Sequence, residues 1–414
     1  MLVYLADQFN LNRPDLHFPF IGNKWLVGLF FLTHIIFGSF SMGAVLLSPA
    51  FEWLGLRRAD PRFERLAHGI ASTNLKVFSF GATLGSFAVL VLLGLYPKLF
   101  TSLITIFFWP MLLAFMSWFI TIPLLLLYVF RWRTMELRKG AHITIGVAGG
   151  VSEQLFLVLI VGLDSFMLTP SKTIGLQSFF NPTFLPELGH RFVGNLSWSA
   201  FFVAAVMAAY AGFSRQLEER LYYHWAARVS LVVGFVTLVP QVVLGFVFVE
   251  SIKNASYGAF LYSLTGTYSW LWLLQGLLLA VLLAGSNLYF LASRPVPGVS
   301  FLLTAVVTAL AILEMMPSAV YPRPLFWLRY VFLSTALALS VVHWLLWRRP
   351  RERVIADLAR GGRLVVTVTG TAALLLFLLM GVIRETARGD YTVYGQLKAK
   401  DSQGLFAPSK GFYP

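Results

Sequence analysis

Cysteine is absent from the 414 residues, which excludes disulfides, thiolate-held metals, iron–sulfur clusters and a c-type heme joined covalently to this chain. Charge is scarce too: Asp, Glu, Lys and Arg make up 12% of the residues, roughly half the share of a soluble globular protein. Acids are the scarcest, 18 against 32 basic residues, for a net charge of +14. No internal repeat or low-complexity tract is present, so a solenoid has no support. Met1–Asn23 holds no apolar run of signal-peptide length, and the first membrane helix is therefore expected to do the targeting.

What fills the chain is apolar sequence, 58% of the residues, with a mean hydropathy of +0.75. The apolar runs are continuous, without the alternation of barrel strands, and each is long enough to cross a hydrocarbon core of about 30 Å. The expected fold is an all-α polytopic membrane protein, a bundle of about ten transmembrane helices at roughly 24–50, 69–96, 102–130, 141–168, 189–213, 224–250, 268–292, 299–316, 324–347 and 363–386. The positive charge sits in alternate loops: Arg57, Arg58, Arg62 and Arg65; Arg131, Arg133, Arg138 and Lys139; Arg215 and Arg220; Arg294; and the run from Arg348 to Arg363. That is a positive-inside pattern rather than a nucleic-acid surface, and it places both termini on the outer face. Five segments are expected: an outer N-terminal segment 1–23, a six-helix core 24–250, an outer loop with two helices 251–316, two further helices 317–387, and an outer C-terminal arm 388–414. The arm reads equally as a strap along a partner or as a frayed terminus.

Ionisable groups inside apolar spans are costly and so are functional suspects. Lys76 in the second span and Glu153 in the fourth qualify. Both are entered from the basic side, and they could pair, relay protons or hold a quinone head group; a purely structural pair is the other reading. Asp164, Glu250, Glu314 and Glu385 fall near outer span ends, where solvation makes a carboxylate cheap. Of seven histidines, His34 lies about ten residues into the first span and His190 opens the fifth, both in the outer half. An imidazole there offers a lone pair to a metal, and an iron porphyrin wedged between helix ends suits so apolar a setting; a histidine hydrogen-bonded to a carbonyl is the alternative. His68, His142, His224 and His343 fall near inner span ends and read as interfacial residues. The small-residue run Gly146-Val-Ala-Gly149-Gly150 allows close approach of a helix or a cofactor.

Five patches in order carry a resemblance. They are LTHIIFGSFSMG around His34; Lys76-Val-Phe; His142 followed by Asp164-Ser-Phe-Met167-Leu-Thr-Pro170; Asn181-Pro182 with His190 eight residues on; and Phe326-Trp327-Leu-Arg329 with Glu385-Thr-Ala-Arg388. The chain resembles subunit I of the cytochrome bd-type quinol oxidases. The resemblance implies one to three b hemes, with His190 and His34 as iron ligands and His142, Met167, Trp327, Arg329 and Arg388 around the cofactors; Met315, Met316 and Met380 are the sixth-ligand candidates. It also implies quinol as substrate, catalytic roles for Glu153 and Lys76 toward protons or quinone, and a bacterial or archaeal cytoplasmic membrane. A second membrane subunit is implied as partner.

The departures point away from oxygen. The third helix of that family carries glutamates, whereas Phe108–Ile122 here has no acid, the methionine expected after Arg329 is replaced by Tyr330-Val-Phe, and the long quinol loop gives way to a short connection and two helices. The expected function is therefore a heme b-containing subunit that moves electrons between membrane quinol and an outer-face c-type cytochrome or other redox protein. Heme d is not expected. The alternatives are a true oxygen-reducing subunit and a heme-free membrane anchor.

Overall fold

A computed structural model of the chain describes residues 18–264, 268–292, 297–314, 328–348 and 360–403. Twelve α-helices run through them. They are α1 (Gly22–Arg58), α2 (Pro61–Leu95), α3 (Pro97–Phe130), α4 (Lys139–Leu168), α5 (Leu176–Phe179), α6 (Phe184–Phe213), α7 (Leu217–Ala255), α8 (Tyr257–Leu264), α9 (Trp270–Ala292), α10 (Pro297–Glu314), α11 (Leu328–Trp347) and α12 (Arg360–Ala387). Among the described residues nine are long and apolar enough to cross a membrane, and α10 is a shorter apolar helix. Most helices outrun the apolar stretches read from sequence. α6 begins at Phe184 rather than 189, so His190 sits in its second turn and not at its start.

The turns between helices follow from local chemistry. Between α1 and α2 only Ala59 and Asp60 intervene. Ala59 takes the left-handed conformation and returns its N–H to Gly55, closing α1. Asp60 then caps α2, accepting from the Arg62 N–H at 3.0 Å, and Pro61 supplies a first helical residue that needs no N–H partner. α3 kinks at Phe107 (φ −114°, ψ 27°), one turn before Pro110, because the proline ring displaces the preceding turn's carbonyl.

α6 is the hub, packing on α1, α4, α7 and α12, while α9, α10, α11 and α12 form a second group beside it. Hydrophobic burial drives no association between helices in lipid, so close contact must come from small residues. Ala200, Ala204, Ala208 and Ala211 of α6 are at most 1% exposed. A side chain at Gly43 of α1 would collide with Ser199 of α6, and one at Gly370 of α12 with Ala205.

The residues after α12 turn back on the bundle. A two-stranded antiparallel hairpin, β1 (Tyr391–Val393) and β2 (Leu397–Lys398), pairs Val393 with Leu397. Both side chains enter an apolar cluster with Leu99, Leu103, Phe107 and Phe166, and the Tyr394 N–H donates to the Met167 carbonyl at 2.9 Å. Residues 391–398 of the arm form a hairpin in which the cross-strand pair Val393 and Leu397 gives an apolar face, and it docks on its own chain. Residues 404–414 lie outside the described residues.

Candidate functional site

A cavity of about 400 Å³ opens inside the half of the bundle away from the arginine-rich loops. His34, His190, Glu153, Arg329 and Met380 all line it, so five of the residues singled out from sequence share one space. Trp327, Met315 and Met316 lie outside the described residues.

His34 projects from α1 toward α2. Its Nδ1 is 2.8 Å from the Gly81 carbonyl, and a carbonyl can only accept, so Nδ1 carries the proton and Nε2 keeps its lone pair. This is the tautomer of a metal-binding imidazole whose ring is oriented by a second partner. The ring lies where α2 has no side chain: a Cβ on Gly85 would stand 2.7 Å from the His34 Cε1. His190 projects from α6 toward α7. The Gln241 amide nitrogen lies 3.1 Å from its Nε2 and 3.2 Å from its Nδ1, and a Cβ on Gly245 would stand 3.2 Å from its ring. Both histidine rings thus pack into glycine-walled recesses that a larger residue would close. Several polar atoms around the same space lack partners among the described residues: Gln241 Oε1, Arg329 Nε and one oxygen of Glu153, itself 4% exposed. Buried polar groups are nearly always satisfied, and unsatisfied ones gathered round a cavity mark what a ligand completes. Two oriented imidazoles, a thioether from Met380 and cationic walls are the donor set that fits b-type heme.

The cavity's charged wall was only partly visible in the sequence. Glu187, at 0% exposure, accepts from Arg384 Nε at 3.1 Å and pairs with Arg191 Nε at 3.0 Å. Arg384 also reaches Asp164 at 2.8 Å, and Arg191 pairs with Asp164 as well. Two acids and two arginines thus close a half-buried ring between α4, α6 and α12, with Arg191 and Arg384 lining the cavity. Glu314 faces Arg329 at 3.7 Å across the same space. Nothing in the sequence pairs Glu187 with Arg384, which lies 197 residues away; Asp164 and Glu314 look like inexpensive span-end charges until the helices are assembled.

Four expectations are redirected. Arg388 does not line the cavity: it binds Glu385, the Thr392 carbonyl and, at 3.6 Å, the Met167 sulfur, so Arg388 and Met167 hold the hairpin's approach. Lys76 and Glu153 do not pair, because Lys76 points out from the exposed face of α2 while Glu153 points inward. His142 lies away from the cavity. It is fully buried at the basic end, with Nδ1 2.7 Å from Glu52 Oε1 and Nε2 2.8 Å from the Tyr128 carbonyl, so neither nitrogen is available. Nor is it interfacial: His142, His224 and His343 are all buried, and the His343 Nδ1 is 2.8 Å from Asn287 Oδ1. The sequence placed them by depth alone, and depth does not distinguish a rim from a core.

Asn181 and Pro182 have a local purpose. The Asn181 carbonyl oxygen accepts from the Thr183 N–H at 3.2 Å and its amide donates to Ser165 at 2.7 Å, while Thr169 and Thr183 share a hydrogen bond of 2.6 Å. This knot ties the end of α4 to the start of α6 and fixes where His190 enters the bundle.

A polytopic helical membrane protein with a histidine-lined, partly unsatisfied interior is the class that these features define. The chain belongs to the cytochrome bd terminal oxidase subunit I family, whose model matches residues 23–255. It is therefore a membrane subunit of a respiratory oxidoreductase, from a family of quinol oxidases. The fold is similar to the structure of bd oxidase from Geobacillus thermodenitrificans, with a TM-score of 0.63 and 16% identity over 92% of this chain and 91% of that one. No curated protein matches the sequence significantly.

Proposed function

We propose that the chain is the heme b-holding subunit of a quinol-oxidising complex, with His34 and His190 each ligating an iron and electrons leaving toward a redox protein on the face opposite the arginine-rich loops. The observation that carries this reading is the His34 tautomer: the Gly81 carbonyl takes the Nδ1 proton and leaves the Nε2 lone pair unused in the wall of the cavity. A b heme bound there supplies reversible one-electron storage. The chain's own contribution is to hold and orient. Gly81 and Gly85 set the His34 ring, Gly245 and Gln241 flank His190, and Arg191, Arg384 and Arg329 offer guanidinium groups suited to carboxylates at the cofactor's edge. Met380 is the sixth-ligand candidate among the described residues. The positive-inside pattern supports both termini lying outside, and family membership supports a second membrane subunit.

Replacing His190 with Ala should remove about one heme's share of the b-type absorbance of the purified, membrane-inserted complex, since a single imidazole carries the iron. An unchanged dithionite-reduced spectrum sinks the assignment. One observation favours the oxygen-reducing alternative: Glu153 is a buried carboxyl in the His34 cavity with an unpartnered oxygen, and oxygen reduction consumes protons. An oxygen electrode separates the two. The proposed function gives quinol-dependent reduction of an added redox partner with negligible oxygen uptake, and fast quinol-driven uptake with a heme d band in the spectrum replaces it by the oxidase.

A further inference from the structure

The face of the bundle opposite the arginine-rich loops carries a charge imbalance that topology does not explain. The positive-inside pattern concentrates basic residues on the other face and asks for none here. Yet Lys24 lies in the first turn of α1, Lys98 in the first turn of α3, Lys172 just after α4, and Lys398 and Lys400 on and beside the hairpin. Among the described residues none of these five lysines is in an ion pair. The acids of the same face are nearly all taken. Glu385 pairs with Arg384 and Arg388, Glu250 with Lys253, Glu314 with Arg329, and Asp164 and Glu187 belong to the arginine ring. Asp390 and Asp401 are the acids left without a cation there among the described residues, so unpaired positive charge outnumbers unpaired negative charge.

Three of the lysines surround one apolar cluster. Lys98 adjoins Leu99 and Lys398 adjoins Leu397, both buried in the cluster under the hairpin, and Lys24 lies one helical turn before Val27, which packs against it. Successive side chains of a strand point to opposite faces. Leu397 therefore enters the cluster while Lys398 is exposed on the far side, and Lys400, two residues on, is exposed as well. A two-stranded sheet with open edges leaves backbone groups that hydrocarbon cannot satisfy, so the lysine-bearing side of the hairpin stands in water. The end of α4 separates this surface from the histidine-lined cavity: Phe166 and Met167 pack under the hairpin, and the next residue, Leu168, lines the cavity.

We propose that the surface formed by Lys24, Lys98, Lys398 and Lys400 around the hairpin is the docking site of an acidic soluble redox protein. Unpaired ammonium groups in water attract a partner of opposite charge and speed its association more than they tighten the final complex. A protein fits better than a lipid headgroup, because Lys398 and Lys400 are carried by a strand and the turn after it and not by a helix end at the bilayer surface. That the acidic partner is a redox protein rests on the proposed function; the charge pattern and its place beside the cavity are properties of the chain alone.

Association kinetics on the full chain in nanodiscs of phosphatidylcholine, which adds no net charge, test it. The probes are an acidic soluble c-type cytochrome and a basic one. The acidic cytochrome should associate about tenfold faster at low salt than at about 0.3 M, where exposed charges are screened, and the basic one should not bind. Lys398→Glu combined with Lys400→Glu should slow the acidic cytochrome about tenfold at low salt. Should that pair of changes undock the hairpin, Lys24→Gln combined with Lys98→Gln, on helices that do not depend on it, should slow association in the same direction. Lys253→Gln should leave the rate unchanged, because Glu250 already pairs with that lysine. Absence of acidic-cytochrome binding, equal binding of the basic one, or unchanged association in both lysine pairs overturns the proposal. So does a result in which the lysine changes release bound phosphatidylglycerol in native mass spectrometry and leave cytochrome association as it was, since the surface then serves lipid. Docking needs no electron transfer, so its outcome is separate from that of the b-heme spectrum: an intact spectrum without docking removes this surface alone, and docking without a b-type spectrum removes the heme assignment while the surface stands.

Discussion

The two buried polar regions of this protein differ in how complete they are. Around Glu52 every principal group is matched: two hydrogen bonds to the carboxylate, two to the His142 ring, and a lysine nearby. Around His34 and His190 the helices leave open space, and the Glu153 carboxyl, the Gln241 carbonyl and the Arg329 Nε have unpaired atoms among the described residues. In a low-dielectric interior a closed network rigidifies and an open one is a liability until something fills it. The first region is therefore finished by the chain itself, and the second is left open by the described residues.

Stability measurements on the heme-free protein sharpen this contrast most. Glu52→Ala strips partners from His142 and Tyr128 and should cost about 3–5 kcal/mol, the range for breaking a buried charged pair. Glu153→Leu removes a carboxyl that satisfies little and should be neutral or stabilising. Equal losses in thermal melts of the detergent-solubilised variants would break the distinction. Gly85→Leu tests the open region from the other side: it drives a side chain into the His34 ring, which should cost about 1–3 kcal/mol by overpacking and remove the b-type absorbance tied to His34. Gly28→Leu, on the same helix as His34 with nothing near its Cβ, should do neither.

The smallest effect is expected outside both regions. Asp60→Ala deletes the cap of α2 and should cost about 1 kcal/mol. Its hydrogen bond with Arg62 holds the Asp60 carboxyl below the usual carboxylate range. The folded value is depressed, so the cap's contribution is present above the ordinary carboxylate pKa and fades as pH falls through the depressed value. Wild type and variant should converge in strong acid, and a gap that persists there would show that the cap acts without its charge.

Much of the fold was legible because the bilayer imposes one rule on every segment: length and apolarity mark a helix. The pairing of His34 with the cavity was legible for a related reason, since a histidine at that depth in an apolar helix needs a partner. Partner assignment was not. Glu52, near the basic end of α1, carries no sequence signal that would join it to His142, 90 residues away, and the ring of Asp164, Glu187, Arg191 and Arg384 appears only when three helices converge. Lys76 shows the converse error. Its position in a span flagged it, but the side of the helix it occupies is set by how α1, α2 and α3 pack, which a single sequence does not specify.

The hairpin after α12 places a demand on how this protein is made. Val393 and Leu397 complete the apolar cluster that closes the bundle between α3 and α4, and Tyr394 ties that closure to Met167, yet these residues are translated after α1–α12. Until they emerge and cross, Leu99, Leu103 and Phe166 stand uncovered. That side of the bundle thus closes only when a segment made after α12 folds back onto α3 and α4.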